Sequence, residues 1–219
     1  MYATKVYHQE LEVVEKLASE FAGTTVGDWS LILEKVVAAK AEAVPDDPRS
    51  AAGILGYIHG VRNVRGMLKP RGYEQYSEQN IESARDPATG KQVVYQNVDC
   101  AGLLTHSPKA IQGKGAGARR QIEAAQGSLF PDTEIPEVVG PKFVGDAGVV
   151  WYFCVSAILE KGERLVGAEL SLPLPFKGDN FSGFAERILI RSFGPWTGGI
   201  AETTPAEPFE ALPAISRKK

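Results

Sequence analysis

The sequence predicts an α+β fold, in which an N-terminal helical unit precedes an antiparallel sheet built around a long hairpin. Apolar residues recur at helical spacing through residues 1–70, whereas residues 148–176 hold two strand-like apolar runs joined by a turn. The 219 residues are 43 % hydrophobic and 23 % charged, as in ordinary globular proteins. We therefore predict a helical unit in residues 1–70, a β-rich domain in 71–193 and a disordered tail in 194–219.

The first two helices are predicted from apolar spacing and from residues that favour helix ends. Residues 7–22 repeat apolar positions on one face and glutamates on the other, and Gly23 is a suitable stop. A second helix is predicted over residues 28–43, with Asp28 as its N-terminal cap and Trp29 on its apolar side.

A third helix is predicted over residues 48–67, with Pro48 in its first turn. Gly53, Gly56 and Gly60 oppose this prediction, because each glycine costs about 1 kcal/mol relative to alanine in a helix. The same glycines would let a neighbouring backbone approach closely.

The clearest β signal is a hairpin in the second half of the chain. Residues 149–159 form one predicted strand, 160–163 a glycine-containing turn and 164–172 the returning strand. A further strand is predicted over residues 91–95. Residues 180–193 fit either a helix or a strand, and their pattern does not decide between the two.

Loops and linkers are predicted between the strand at 91–95 and the hairpin. Residues 105–121 are rich in Gly, Ser and Lys and are interpreted as a loop, with 113–120 as its centre. A short helix is predicted over residues 117–126. Residues 131–145 contain three prolines and are interpreted as a linker or an extended arm.

One pentapeptide carries a functional signal: Gln126-Gly127-Ser128-Leu129-Phe130. It resembles the short peptide by which bacterial polymerases and repair proteins dock on the sliding clamp. That pattern is Gln, a usually aliphatic residue, Ser or Asp, Leu and Phe, so only Gly127 departs from it. The resemblance implies that Leu129 and Phe130 fill an apolar pocket while the Gln126 amide fixes the register. Alternatively, Leu129 and Phe130 anchor a loop onto the core.

Basic residues in the middle of the chain suggest contact with nucleic acid. Residues 51–130 carry a net charge of +4, between flanks of −4 and −3. Basic side chains neutralise phosphates, and interleaved tyrosines can stack on bases. The alternative is a solvated surface. The candidate nucleic-acid-binding residues are Arg62, Arg65, Lys69, Arg71, Lys114, Arg119 and Arg120.

Enzyme signatures are weak, so we predict no catalytic residues, no metal site and no cofactor. Cys100 and His106 are close in sequence and could in principle form a nucleophile pair. Glu169 is not followed by the lysine that one nuclease pattern requires two residues later. The glycine-rich loop also lacks the Gly-Lys-Ser/Thr ending of a phosphate-binding P-loop.

Together these patterns favour a non-enzymatic accessory protein of DNA replication, repair or a mobile element. We expect it to dock on the sliding clamp and to contact nucleic acid. Two alternatives stay open: a phage- or plasmid-type regulator or inhibitor that binds only a protein, and a small nuclease-like enzyme with an unrecognised active site. With two cysteines and no signal-peptide-like stretch at the N-terminus, a cytoplasmic location is expected.

Overall fold

The computed structural model describes residues 4–78, 80–111, 148–174, 176–177 and 180–197. Three helices occupy the first part of this range, and a 3-10 turn follows the last of them. The helices are α1 (Glu10–Glu20), α2 (Val26–Ala41) and α3 (Ala51–Leu68), and the turn is Lys69–Arg71. Their number agrees with the sequence prediction.

Nine strands are described. They are β1 (Lys5–Tyr7), β2 (Glu74–Glu78), β3 (Ile81–Arg85), β4 (Gln92–Asn97), β5 (Val150–Glu160), β6 (Glu163–Pro173), β7 (Phe176–Lys177), β8 (Asn180–Phe181) and β9 (Phe184–Pro195). Seven strands form one sheet in the order β1-β9-β6-β5-β4-β3-β2, and β7 pairs with β8. The predicted α+β class and the predicted hairpin, seen here as β5–β6, are confirmed.

The sheet is mixed, whereas the sequence predicts an antiparallel one. Strand β4 runs parallel to β5, with Gln92 opposite Val150, and β1 runs parallel to β9. A parallel pair requires the chain to cross from one end of the sheet to the other. Nothing in the spacing of the two strands along the sequence reveals that crossing.

The helices cover one face of the sheet and share a hydrophobic core with it. Trp29 of α2 lies at the centre, with ring centroids 5.6 Å from Phe21 and 4.9 Å from Phe153 of β5. Trp151 packs edge-on against Phe21 at 5.3 Å. This core holds residues from both sides of residue 70, the predicted boundary between the helical unit and the β-rich domain. The division into domains stays a prediction.

All three helices begin at residues other than those predicted. Helix α3 begins at Ala51 after Ser50, so Pro48 precedes the helix instead of lying in its first turn. Helix α1 begins at Glu10, because the preceding residues join the sheet as β1. Helix α2 is capped by Thr25, whose Oγ1 accepts a hydrogen bond from the Asp28 backbone N–H. Asp28 is the third helical residue and accepts in return from the Thr25 N–H at 2.8 Å. The predicted cap is thus the second half of a capping box.

Two glycines of α3 lie against side chains rather than against another backbone. A Cβ atom on Gly60 would lie 2.4 Å from the ring of Tyr95 on β4, and one on Gly56 would lie 2.5 Å from the Lys40 side chain. Both glycines are buried. Close packing of α3 on its neighbours explains why glycines occur in a helix despite their cost.

The C-terminal part of the described chain is β structure. The ambiguous stretch 180–193 forms β8 and β9, and β9 continues to Pro195, which lies within the predicted tail. Residues 198–219, the remainder of that tail, lie outside the described residues. Among the helices described, none is both long and apolar enough to cross a membrane.

Candidate functional site

The clamp-like peptide belongs to the connection between β4 and β5. Gln126, Ser128, Leu129 and Phe130 lie outside the described residues, as do the predicted short helix and linker. The candidate nucleic-acid-binding residues Lys114, Arg119 and Arg120 lie outside them too. The structure describes the two ends of this connection. At the first end, Ala110 forms an isolated β-bridge with Val98. At the second end, the described chain resumes at Gly148, just before β5.

Two of the four described candidate basic residues are held by internal partners. Arg65 donates to the Ser83 carbonyl at 3.0 Å, to the Tyr76 carbonyl at 2.8 Å and to the carboxylate of Glu82 at 2.5 Å. These bonds tie α3 to the β2–β3 hairpin.

Arg71 is held in a similar way. Its guanidinium binds Asp28 at 3.1 Å and the Met67 carbonyl at 2.7 Å. These contacts give both arginines a structural role. Arg62 and Lys69, by contrast, are exposed.

The tyrosines near these basic residues differ in accessibility. Tyr73 is 5 % exposed, and burial raises its pKa to about 12, so its ring is not presented for stacking. Tyr57 is 38 % exposed on α3. Tyr76 donates to Glu78 and lies under the Arg85 guanidinium at 4.9 Å. The exposed surface that remains available to a polyanion is therefore smaller than the sequence suggests.

His106 is close to Asp99. Its Nε2 lies 3.1 Å from the Asp99 carboxylate, which also accepts the backbone N–H groups of Cys100 and Lys109. Burial opposes ionisation of Asp99, but these hydrogen bonds outweigh it and lower the pKa of the carboxyl. Burial and then the Asp99 charge raise the pKa of the Cys100 thiol, which disfavours a reactive thiolate.

A buried ion pair on the other face of the sheet is the main polar feature that the sequence analysis missed. Glu169 on β6 and Arg187 on β9 are 0 % and 2 % exposed. Glu169 also accepts the Gly102 N–H at 2.7 Å, and Arg187 donates to the Leu103 carbonyl at 2.8 Å. The pair therefore fixes the loop that follows β4. The sequence signal that could have revealed this pair is Glu169 itself, a glutamate flanked by small and apolar residues.

A cavity of about 720 Å³ lies between α1, the start of α2, β9 and this loop. Its walls are mainly aliphatic, and four polar side chains also contribute. The aliphatic residues include Val13, Val14, Val26, Leu103, Leu189 and Ile190, and the polar ones are His8, Glu10, Thr105 and Ser192.

No metal-binding arrangement is found in the part of the chain that the structure describes, where His, Cys, Asp and Glu form no group of three suited to an ion. The chain matches no protein-family model, no curated protein and no solved structure.

Proposed function

We propose that this chain is a non-enzymatic accessory protein of DNA replication, repair or a mobile element that docks on a sliding clamp. The observation that carries the proposal is the pentapeptide itself. Gln126, Ser128, Leu129 and Phe130 occupy the positions of a clamp-binding peptide. Two apolar anchors following a polar residue are typical of a linear docking motif.

The length of the connection that contains the peptide supports this function. Strands β4 and β5 are paired over six positions, from Gln92↔Val150 to Asn97↔Val155. Because the two strands are parallel, the connection must return along their length, a distance of about 20 Å. Roughly six extended residues can span this distance. Residues 112–147 provide far more chain than this path requires. Long connections in compact domains often carry binding functions.

The test is capture of a purified bacterial sliding clamp by the full-length chain. A Leu129→Ala/Phe130→Ala variant removes both anchors and is expected to abolish capture. The matched control is Val138→Ala/Phe143→Ala, which removes two apolar side chains from the same connection outside the pentapeptide. This control is expected to capture the clamp as well as the wild type does.

A competition experiment identifies the site on the clamp. A synthetic peptide of residues 124–132 is expected to displace the full chain, whereas the peptide with both anchors replaced by alanine is not. Failure of the wild type to bind, or equal binding by the anchor variant, would overturn the proposal. Binding through another surface would then favour the regulator that recognises only a protein.

Contact with nucleic acid is the second part of the proposal. Arg62 and Lys69 support it, because both are exposed at or just beyond α3. Arg65 and Arg71 are bound to internal partners, so the described part of this surface has fewer positive charges available to phosphates.

A further inference from the structure

We propose that the cavity beside α1 is a binding site for a small apolar amine, a molecule with an aliphatic or aromatic body and one cationic end. This inference does not rest on clamp docking. Three features of the cavity carry the inference: its size and apolar lining, the fixed position of one wall, and the charge of its lining residues.

The size and lining of the cavity fit a small organic molecule. Its volume of about 720 Å³ falls within the range of roughly 300–1,000 Å³ found for ligand pockets. Val13 and Ile190 are 4 % and 9 % exposed and form its inner surface. Val14 and Leu104 are 44 % and 56 % exposed and form an apolar part of its outer surface. An apolar body would bury these side chains on binding.

The wall formed by the loop after β4 is fixed before any ligand arrives. Glu169 and Arg187 hold the backbones of Gly102 and Leu103, and both of these residues line the cavity. Gly102 has φ +79°, and a Cβ there would lie 2.0 Å from the Arg191 carbonyl oxygen. The loop is thus held against β9, so ordering this wall on ligand binding costs little free energy.

The charges of the described lining residues favour a cation. Glu10 is the sole acidic residue among the described lining residues, and these include no lysine or arginine. His8, Thr105 and Ser192 add hydrogen-bonding groups. A carboxylate ligand would be repelled by Glu10, while an ammonium group would be attracted to it. The ammonium group could also donate hydrogen bonds to the side-chain oxygens of Thr105 and Ser192. Fatty acids and other anionic amphiphiles are therefore disfavoured relative to amines.

The experiment compares decylamine, decanol and decanoate, which share one chain and differ in the head group. Each is titrated below its micellar concentration against the full-length chain, with displacement of the neutral dye Nile red as the readout. Decylamine is expected to bind about tenfold more tightly than decanoate, because reversing one charge several ångströms from a solvated carboxylate has about this effect. Decanol is expected to lie between the two.

Three variants locate the site. Thr105→Trp places a bulky ring in the lining and is expected to lower the affinity for all three molecules. Ser107→Trp, on an exposed residue of the same loop outside the lining, is the matched control and is expected to bind like wild type. Glu10→Gln is expected to keep decanol binding and to remove most of the preference for decylamine over decanoate.

The proposal is overturned if the wild type binds neither the dye nor decylamine. It is also overturned if Thr105→Trp binds like Ser107→Trp while its thermal unfolding matches wild type, because the molecules then bind elsewhere. Decanoate binding more tightly than decylamine would contradict the cation preference assigned to the lining.

Discussion

Arg187 binds Glu169 through two parallel hydrogen bonds, with Nε 2.7 Å from Oε1 and Nη2 2.6 Å from Oε2. Ser171 donates a further bond to Oε1 at 2.5 Å. The two charged groups lie on neighbouring strands of the sheet and are almost fully buried. Such a pair gains little net stability over apolar residues, but it is costly to break.

The first prediction concerns this pair. Arg187→Met leaves Glu169 buried without its counter-ion and is expected to lower the free energy of unfolding by about 3–5 kcal/mol. Urea unfolding of the two proteins measures the difference. The double variant Glu169→Gln/Arg187→Met removes the uncompensated charge. The Gln amide oxygen keeps one acceptor for the Gly102 N–H, and its NH2 group can donate to the Ser171 hydroxyl oxygen. The double variant should regain roughly 2 kcal/mol of the loss. A single variant that costs less than about 1 kcal/mol would contradict the structure.

The second prediction uses two glycines of α3. Gly60→Ala brings a Cβ against the Tyr95 ring, so we expect a loss of about 1–3 kcal/mol of stability. Gly53 has nothing within 4 Å of the added Cβ, and Gly53→Ala should stabilise the helix by up to about 1 kcal/mol. Thermal unfolding measures both changes. Equal effects of the two substitutions would mean that α3 does not pack on β4 as described.

The third prediction concerns Lys40, which packs against Gly56 and lies 3.4 Å from the Ala157 carbonyl oxygen. Burial lowers its pKa to about 8 from the usual 10.5. Between these two pH values the unfolded chain binds more protons at this group than the folded chain does. The contribution of Lys40 to stability therefore rises with pH across this window, on the order of 2 kcal/mol in all.

The comparison with Lys40→Met isolates this contribution from other groups that titrate above pH 8. The stability difference between wild type and Lys40→Met should shift in favour of wild type as the pH rises from 7 to 10. Lys35 is an exposed lysine of the same helix, and Lys35→Met should follow the wild-type pH dependence. Parallel curves for wild type and Lys40→Met would contradict the low pKa.

The fourth prediction separates nucleic-acid contacts from structural contacts. Arg62→Ala and Lys69→Ala should each weaken binding to DNA or RNA and reduce the salt slope by about 1, with stability changed by no more than about 0.5 kcal/mol. Arg65→Ala should instead destabilise the fold by about 1–3 kcal/mol, because two carbonyls and Glu82 lose a donor. Gel shifts at several salt concentrations, together with urea unfolding, measure these effects. No binding by wild type at low salt would remove the nucleic-acid part of the proposal.

The sequence was most informative where one apolar pattern extends over many residues. The three helices and the β5–β6 hairpin follow directly from helical spacing and from the run at residues 149–159. Strand β1 has three residues, and β2 reads Glu-Gln-Tyr-Ser-Glu, so neither shows a strand pattern. Their places in the sheet depend on partners that are distant in sequence.

The cavity and the buried ion pair could not be predicted for a similar reason. Alternation along β6 assigns Glu169 to the face opposite the helices, where a charged residue is expected to meet water. The loop after β4 covers this position, and Arg187 arrives from β9. A pattern within one strand cannot reveal that a second strand and a loop meet there.

The outermost described strands of the seven-stranded sheet also affect how copies of this chain behave at high concentration. A free strand edge can pair with the edge of another molecule and start aggregation. Here β1 offers only three residues, and β2 has Glu74 and Glu78 at its two ends. Shortness at one edge and negative charge at the other oppose strand addition. These features of the two outermost described strands therefore oppose sheet-to-sheet self-association.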